Sequence, residues 1–267
     1  MKSLAVRSLT FSFLLFPLLA LNAYAGSIIL GTAGSYSVLA GTTVTNTGTT
    51  VLSGNLGVSP GCAVTGAGTM TVGGTTNLCN AASLQAQKDL TAAYLQAQSL
   101  KSTGNLTGTD LGGLTLKSGV YTFGSSADLA TGTTLTLEGT PGALFVFQIG
   151  SSLTTGSGSA VIFINSLTGK PSTDPNIFWQ VGSSATLGTT TKFEGNILAL
   201  TSITLNTGAS ITCGSALAQN GAVTLQGNSI SGCGGGTTPV PEPGTMGFMG
   251  TGLIILGGAV RRKLRLA

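Results

Sequence analysis

"ITLNTGASITCGSALAQNGAVTLQGNSISGC" (residues 203–233) nearly repeats itself. Ile203-Thr204-Leu205 is answered by Val223-Thr224-Leu225, Ile211 by Ile230, and Cys213 by Cys233. Related triplets occur upstream: Leu114-Thr115-Leu116, Leu135-Thr136-Leu137, Leu153-Thr154-Thr155 and Ala185-Thr186-Leu187. The first members of successive triplets lie 21, 18, 32, 18 and 20 residues apart. The long step contains "NSLTGKPSTDPN" (165–176), whose Pro, Gly, Asn and Asp read as an inserted surface loop. On either side of it, "FQIGSSL" (147–153) and "WQVGSSA" (179–185) keep the same register.

A fixed period near twenty residues implies stacked coils. Within a coil, runs such as "FVFQIG", "AVIFIN" and "NILALT" alternate apolar and small polar residues and read as strands. The Gly, Asn and Ser between them supply corners where positive φ costs little. The expected product is an all-β solenoid, a β-helix with Leu, Ile and Val inward and the central Thr outward. The 42 glycines and 7% charged residues suit tight corners and flat faces better than a conventional charged surface. "VTNTGTTV" (44–51) aligns with "ITLNTGASI" (203–211) when one residue is skipped, which adds Thr45 to the column.

One segment departs from the repeat. "NAASLQAQKDLTAAYLQAQSLKS" (80–102) lacks Gly and Pro and places Ala82, Ala86, Leu90, Ala93, Ala97 and Leu100 on one helical stripe. Asn80 can cap its start and Gly104 follows its end, so one long helix is expected over about 81–102. Such a helix is roughly 33 Å long. Seven coils at about 4.8 Å occupy roughly 29 Å, so the helix can lie along one whole side of the stack.

Both ends of the chain read as addressing segments. Lys2 and Arg7 precede an apolar run (9–21) and an "AYA" cleavage site (23–25), which makes 1–25 a secretory signal peptide. The β-helix domain is then expected over 26–234, followed by a linker (235–243) ending in "VPEP" (240–243). The last segment (244–267) joins seventeen mostly apolar residues (244–260) to "RRKLR" (261–265). The apolar stretch is just long enough to span a bilayer, and the basic cluster should stay cytoplasmic. This layout resembles the bacterial PEP-CTERM sorting signal, which implies a membrane peptidase that removes the tail during surface sorting or release. Read without the resemblance, it is a C-terminal anchor. Either way the body is exported, and membrane contact is expected only through this segment before processing.

The net charge of +4 belongs to these ends. Residues 26–238 hold five Lys and six acids, a net −1, with no Arg, and the chain has no His. Clustered cations that would mark nucleic acid as a partner are missing. Four cysteines in an exported chain suggest two disulfides. Cys213 and Cys233 share one phase of the repeat and Cys62 and Cys79 flank one segment, so the pairs Cys62–Cys79 and Cys213–Cys233 are expected. Without CxxC or His the spacing does not suit zinc, and no metal or other cofactor is expected.

Catalysis is not expected either. The body acids are scattered, one per coil or fewer, which does not suit paired-carboxylate chemistry, and no His or Arg can serve as base. The Ser and Thr residues have no His to activate them. "GSGSA" (156–160) reads as a coil corner, and Asp110 with Lys117 as a surface ion pair. What remains is a surface. An outward Thr column, one residue per coil, sets hydroxyl and methyl groups about 4.8 Å apart with χ1 already restricted. Many small contacts on a rigid support suit a repetitive target such as ordered water. A matrix or adhesion protein using the same body as a spacer is the alternative.

Residues 36–231 resemble the bacterial and fungal ice-binding-like β-helix family. The resemblance is carried by "VLAGTTVTNTG" (38–48), "GNLGVSPG" (54–61), "AQKDLTAAY" (86–94), "DLGGLTLKSGVY" (110–121), "ALFVFQIGSSL" (143–153), "FWQVGSSATLG" (178–188), "GNILALTSITLNTGA" (195–209) and "ALAQNGAVTL" (216–225). It implies a discontinuous right-handed β-helix of triangular cross-section with one long α-helix alongside. It also implies a first coil packed on the last rather than on the second, with Thr45 beside Thr224. The implied partner is an ice surface, engaged by a monomer through a flat face to limit ice growth or recrystallisation. The candidate residues are Thr45, Thr115, Thr136, Thr154, Thr186, Thr204 and Thr224. T-A/G-x-T/N motifs of the family add Thr47 and Thr50 from Thr47-Gly48-Thr49-Thr50, and Thr131 and Thr134 from Thr131-Gly132-Thr133-Thr134. Thr207-Gly208-Ala209-Ser210 departs from the motif by ending in Ser.

Overall fold

The computed structural model describes residues 27–174 and 176–233. The expected signal peptide (1–25), linker (235–243) and terminal segment (244–267) lie outside the described residues.

Alternation of apolar and small residues winds the chain into coils that each give one strand to each of three parallel sheets. These form the sides of a triangular β-helix, here faces A, B and C, of nine, seven and eight parallel strands, with one antiparallel strand added to face C. The inward positions hold Val, Leu, Ile and Phe and make one continuous core. Its densest part is a ladder of aromatic rings. Phe147 stacks on Trp179 at 3.9 Å between centroids, Tyr121 follows on one side at 5.7 Å, and Phe193 on the other at 4.9 Å. The Trp179 indole N–H donates to the Glu194 carbonyl oxygen at 3.1 Å, so its polar atom is not stranded by burial.

The first coil (Tyr36–Ala40, Thr43–Thr47, Thr50–Leu52) lies between the last (Ala216–Ala218, Val223–Gln226, Ser229–Ser231) and the second (Asn55–Val58, Ala63–Thr65, Met70–Val72). It therefore packs on the last coil as expected, but also on the second. Both edges of each of its strands carry unpaired backbone groups, and a coil on either side satisfies them. The break in winding falls one coil later. After the strand Thr76–Leu78 the chain leaves the stack, a helix carries it to the far end, and it climbs back from Gly104–Asn105 to meet the first coil.

That helix, Ala81–Ser99, is 19 residues, about 28 Å. Nine face-A strands span about 38 Å, and residues 100–103 join the helix to the last of them. The helix is shorter than the expected 81–102 because Leu100 is already extended. The Gln148 side-chain amide donates to the carbonyls of Ala97 and Leu100, each at 2.8 Å, and closes the terminus there. At the start, Asn80 and Ser83 form a reciprocal capping box. Ala86, Leu90, Ala93 and Ala97 are buried as the stripe requires, whereas Ala82 is exposed and Ser83 takes the inward place. The small alanines let the helix approach the outer side of face A, where Leu39, Val146, Phe178, Leu198 and Leu217 wait. The helix therefore covers the outer side of face A.

The structure bonds Cys62 to Cys79, stapling the second coil, and Cys213 to Cys233, joining the last two coils. The second bridge closes about twenty residues, worth about 3 kcal/mol in unfolded-chain entropy. The insertion after residue 165 folds back through Lys170–Ser172, which pairs antiparallel with Ala160–Asn165 on face C.

The turn from face B to face C needs a left-handed residue in each coil. Gly66, Gly48, Gly227, Gly208, Gly158 and Gly132 supply it, with φ between 65° and 78°. Thr190 takes the same place at φ 57°, where a β-branched side chain is strained. Replacing Thr190 by Gly should raise stability by about 1 kcal/mol, read from the chemical-denaturation midpoint at unchanged slope. A lower midpoint would mean that the threonine side chain itself holds this corner.

Candidate functional site

Face B is built by seven triplets in parallel register. Their in-register outward positions are, in spatial order, Asp128, Thr154, Thr186, Thr204, Thr224, Thr45 and, at the end of its strand, Thr65. The flanking Val44, Leu153, Leu187, Ile203, Leu205, Val223 and Leu225 are buried, which forces the threonines outward by strand alternation. The threonine run crosses the seam between last and first coils without a step, because Thr45 and Thr224 are direct partners.

Two residues before each column position stands a second hydroxyl row, about 6.7 Å away. It contains Ser126, Ser152, Ser184, Ser202 and, beyond Ala222, Thr43. These serines also tie coil to coil. The Ser126 and Ser152 hydroxyls are 2.9 Å apart, the Ser202 N–H donates to Ser184 Oγ at 3.3 Å, and the Ala222 N–H to Ser202 Oγ at 3.3 Å. The opposite margin carries Thr131, Ser157, Thr189 and Thr207, all exposed and joined by backbone hydrogen bonds through the adjoining glycines and Thr190. Close coil spacing there excludes larger residues: a Cβ on Gly188 would meet the Thr155 carbonyl oxygen at 2.5 Å. The result is a face of short side chains with one charge, Asp128, at its end.

Several expected site residues lie elsewhere. Thr115 and Thr136 are partners of each other on face C, not members of the face-B column. The Leu-Thr-Leu triplet recurs on both sheets because both need the same in-out-in alternation. Thr50 is fully buried. Its hydroxyl donates to Asn46 Oδ1 at 2.6 Å and accepts from the Asn228 N–H at 3.1 Å. The Asn46 side-chain amide donates onward to the Gly66 carbonyl at 3.2 Å, and that of Asn228 to the carbonyls of Asn206 and Ala209 at 2.9 Å each. Thr50 is thus part of a polar lock inside the B–C corner that bridges four coils. Thr134 begins the face-C strand Thr134–Gly139, Thr131 sits on the corner, and Thr47 ends its face-B strand beside Gln226. The two T-G-x-T motifs therefore straddle a corner, with only their first threonines at the margin of face B. The serine row and Thr65 were missed, although "GSS" before two of the triplets is a visible signal.

Face C carries hydroxyls in short pieces, Thr115 beside Thr136 and Ser210 and Thr212 beside Ser229 and Ser231, which other residues separate. Its outward residues include Lys117, Glu138, Ile162, Ile164 and Lys192, and the hairpin Lys170–Ser172 extends its edge. Lys117 pairs with Glu138 at 2.6 Å rather than with Asp110, whose carboxylate accepts from the Gly112 N–H at 2.6 Å. Among the described residues no three His, Cys, Asp or Glu side chains gather as a metal site would need.

This three-sided parallel β-helix with one helix packed on a side has counterparts among solved ice-binding proteins. The description "Ice-binding-like" matches residues 38–231, and "PEP-CTERM protein-sorting motif" matches residues 239–263. An ice-binding protein of Nostoc sp. (strain HG1) is 50% identical over 252 residues, covering 91% of each chain. The crystal structure of an ice-binding protein from an Antarctic biological consortium superposes with a TM-score of 0.71 at 37% identity, covering 86% of this chain and 95% of that one. That of the Antarctic ascomycete Antarctomyces psychrotrophicus also gives 0.71, at 36% identity, covering 77% and 98%. The chain belongs to the ice-binding-like family, a family of ice-binding proteins rather than enzymes, and its sorting motif marks it for export to the cell surface or beyond.

The described carboxyls that come together do so for structural reasons. Asp174, in the insertion, and Glu194, on the face-C strand Lys192–Glu194, are both buried. Glu194 accepts from the Phe163 and Asp174 N–H groups at 3.2 and 3.0 Å, and Asp174 from those of Gly142 and Asn176 at 2.7 and 2.8 Å. Burial is the main cause that pushes Glu194 up to about 7, with the Asp174 charge adding to it; burial raises Asp174 as well. A carboxyl raised on folding binds its proton more tightly in the native state. Stability should therefore fall as pH rises from about 4.5 to 7, by about 3 kcal/mol for Glu194. Urea unfolding across this range should show the slope in the native chain and a much flatter one in Glu194→Gln; equal slopes would remove Glu194 as its source.

Proposed function

We propose that the chain adsorbs to ice through face B and thereby inhibits ice growth or recrystallisation. The observation that carries this is the in-register run of Thr hydroxyls and methyls, uninterrupted across the seam between non-consecutive coils, with a parallel row of Ser hydroxyls beside it that Ala222 breaks at the last coil. Spacing along each row is set by the backbone ladder, about 4.8 Å, close to a repeat of the ice lattice. Threonines held at χ1 by strand geometry lose little further freedom on binding, so many weak contacts add without an ordering cost. The apolar flanks keep the hydroxyl groups level and the scarcity of charge keeps hydration from being pinned to single ions. Members of the threonine run from Thr154 to Thr65, with Ser152, Ser184 and Ser202, form the contact surface. The names of these relatives, ice-binding proteins, support ice as the target.

The protein acts as a monomer, without cofactor and without catalytic activity. The peptidase of the sorting pathway is the partner expected at the C-terminal motif.

Bulky substitution separates the faces. Thr186→Tyr with Thr204→Tyr should lower ice-recrystallisation inhibition at least tenfold while circular dichroism and melting stay near those of the native chain. Thr115→Tyr with Thr136→Tyr, on face C, should leave inhibition within twofold. The reverse pattern would move the ice-contact surface to face C, and loss in neither variant would remove both faces.

A further inference from the structure

The C-terminal tail leaves the described body from a fixed place. Cys233 is bonded to Cys213, which lies between the face-C strand Ser210–Thr212 and the face-A strand Ala216–Ala218. The Gly232 N–H donates to Ser53 Oγ at 2.9 Å, and Ser53 likewise lies between a face-C strand, Thr50–Leu52, and a face-A strand, Asn55–Val58. Both contacts set the exit on the edge where faces C and A meet. In a three-sided prism this edge is the one opposite face B.

Charge divides along the same axis. Lys88 and Lys101 stand on the helix side, and Lys117, Lys170 and Lys192 on face-C strands, all of them exposed. Only Asp89 and Glu138 oppose them there among carboxyls that are not buried, whereas face B and its lower corner carry the acids Asp128 and Asp110 and no lysine. A bilayer containing anionic lipid attracts the lysine-bearing sides and repels the acidic one. The residues 234–243 reach at most about 35 Å, so the body stays close to whatever holds the apolar stretch 244–260.

We propose that the chain displays face B away from the bilayer while its sorting segment is still membrane-inserted, so that a cell carrying the uncleaved protein adheres to ice. Removal of the tail then changes where ice binding occurs, on the cell or in the medium, and is not needed to switch it on. This rests on face B being the ice-binding surface.

The test uses the exported full chain, through Ala267, reconstituted into dye-labelled vesicles of phosphatidylcholine with phosphatidylglycerol, and the same chain in detergent micelles carrying a fluorophore. A single ice crystal is grown in each suspension. Vesicle dye should enter the ice at least tenfold above protein-free vesicles, and fall back to that level with Thr186→Tyr and Thr204→Tyr. Capture of the micellar chain but not of the vesicles would overturn the proposal, because face B would then be hidden at a membrane. Capture of neither would instead overturn the ice-binding reading on which it stands. Capture of vesicles that persists in the double variant would also contradict it, by placing adhesion on a surface other than face B.

Discussion

The backbone ladder between Thr43–Thr47 and Val223–Gln226 is the constraint on which the molecule depends. These strands come from opposite ends of the domain, yet pair residue for residue. Side-chain direction alternates along a strand, so a slip of one residue would turn Thr45 inward and Val44 outward. The helix makes such pairing possible. It carries the chain from the second coil to the far end, and the remaining coils then wind back until the last meets the first. The Asn46, Thr50 and Asn228 lock inside the B–C corner joins coils across that junction with satisfied buried hydrogen bonds, which specify register more sharply than apolar packing can.

The three faces differ because each is finished differently. Face A is covered by Ala86, Leu90, Ala93 and Ala97 of the helix. Face C is broken by the inserted hairpin, the Lys117–Glu138 pair and exposed aliphatic residues. Face B is left uncovered and regular, with left-handed residues, glycine in every coil but that of Thr190, turning its margin. Solvent meets an array whose spacing is fixed by the main chain. Such an array can be matched only by a target that is itself periodic, and the burial of the helix against face A directs that target to one side of the prism.

Much of this was legible in the chain. Period, coil stacking, the helix between Cys79 and Gly104 and the C-terminal sorting motif all follow from spacing and composition, which are local properties. What could not be read was the sheet to which each triplet belongs. Leu135-Thr136-Leu137 and Leu153-Thr154-Thr155 look equivalent in one dimension, but the face-A strand Phe145–Ile149 and the corners on either side of it lie between them, so the first falls on face C and the second on face B. Thr50 looked like its neighbours because burial at a corner depends on an extra residue in the first coil and on partners such as Asn228, far away in sequence. Glu194 and Asp174 looked scattered, twenty residues apart, until the insertion folded back over face C. The serine row was present as "GSS" but its side was set by the same three-dimensional turn.

Proximity of individual side chains to ice is the quantity that bears most directly on face B as the contact surface. Solid-state NMR on frozen solution with methyl-labelled threonine can measure proton polarisation transfer from ice to each methyl group. Strong transfer to Thr186, Thr204, Thr224 and Thr45, with little to Thr115 and Thr136, is the expected result. Equal transfer to both sets, or transfer confined to Thr115 and Thr136, would contradict it.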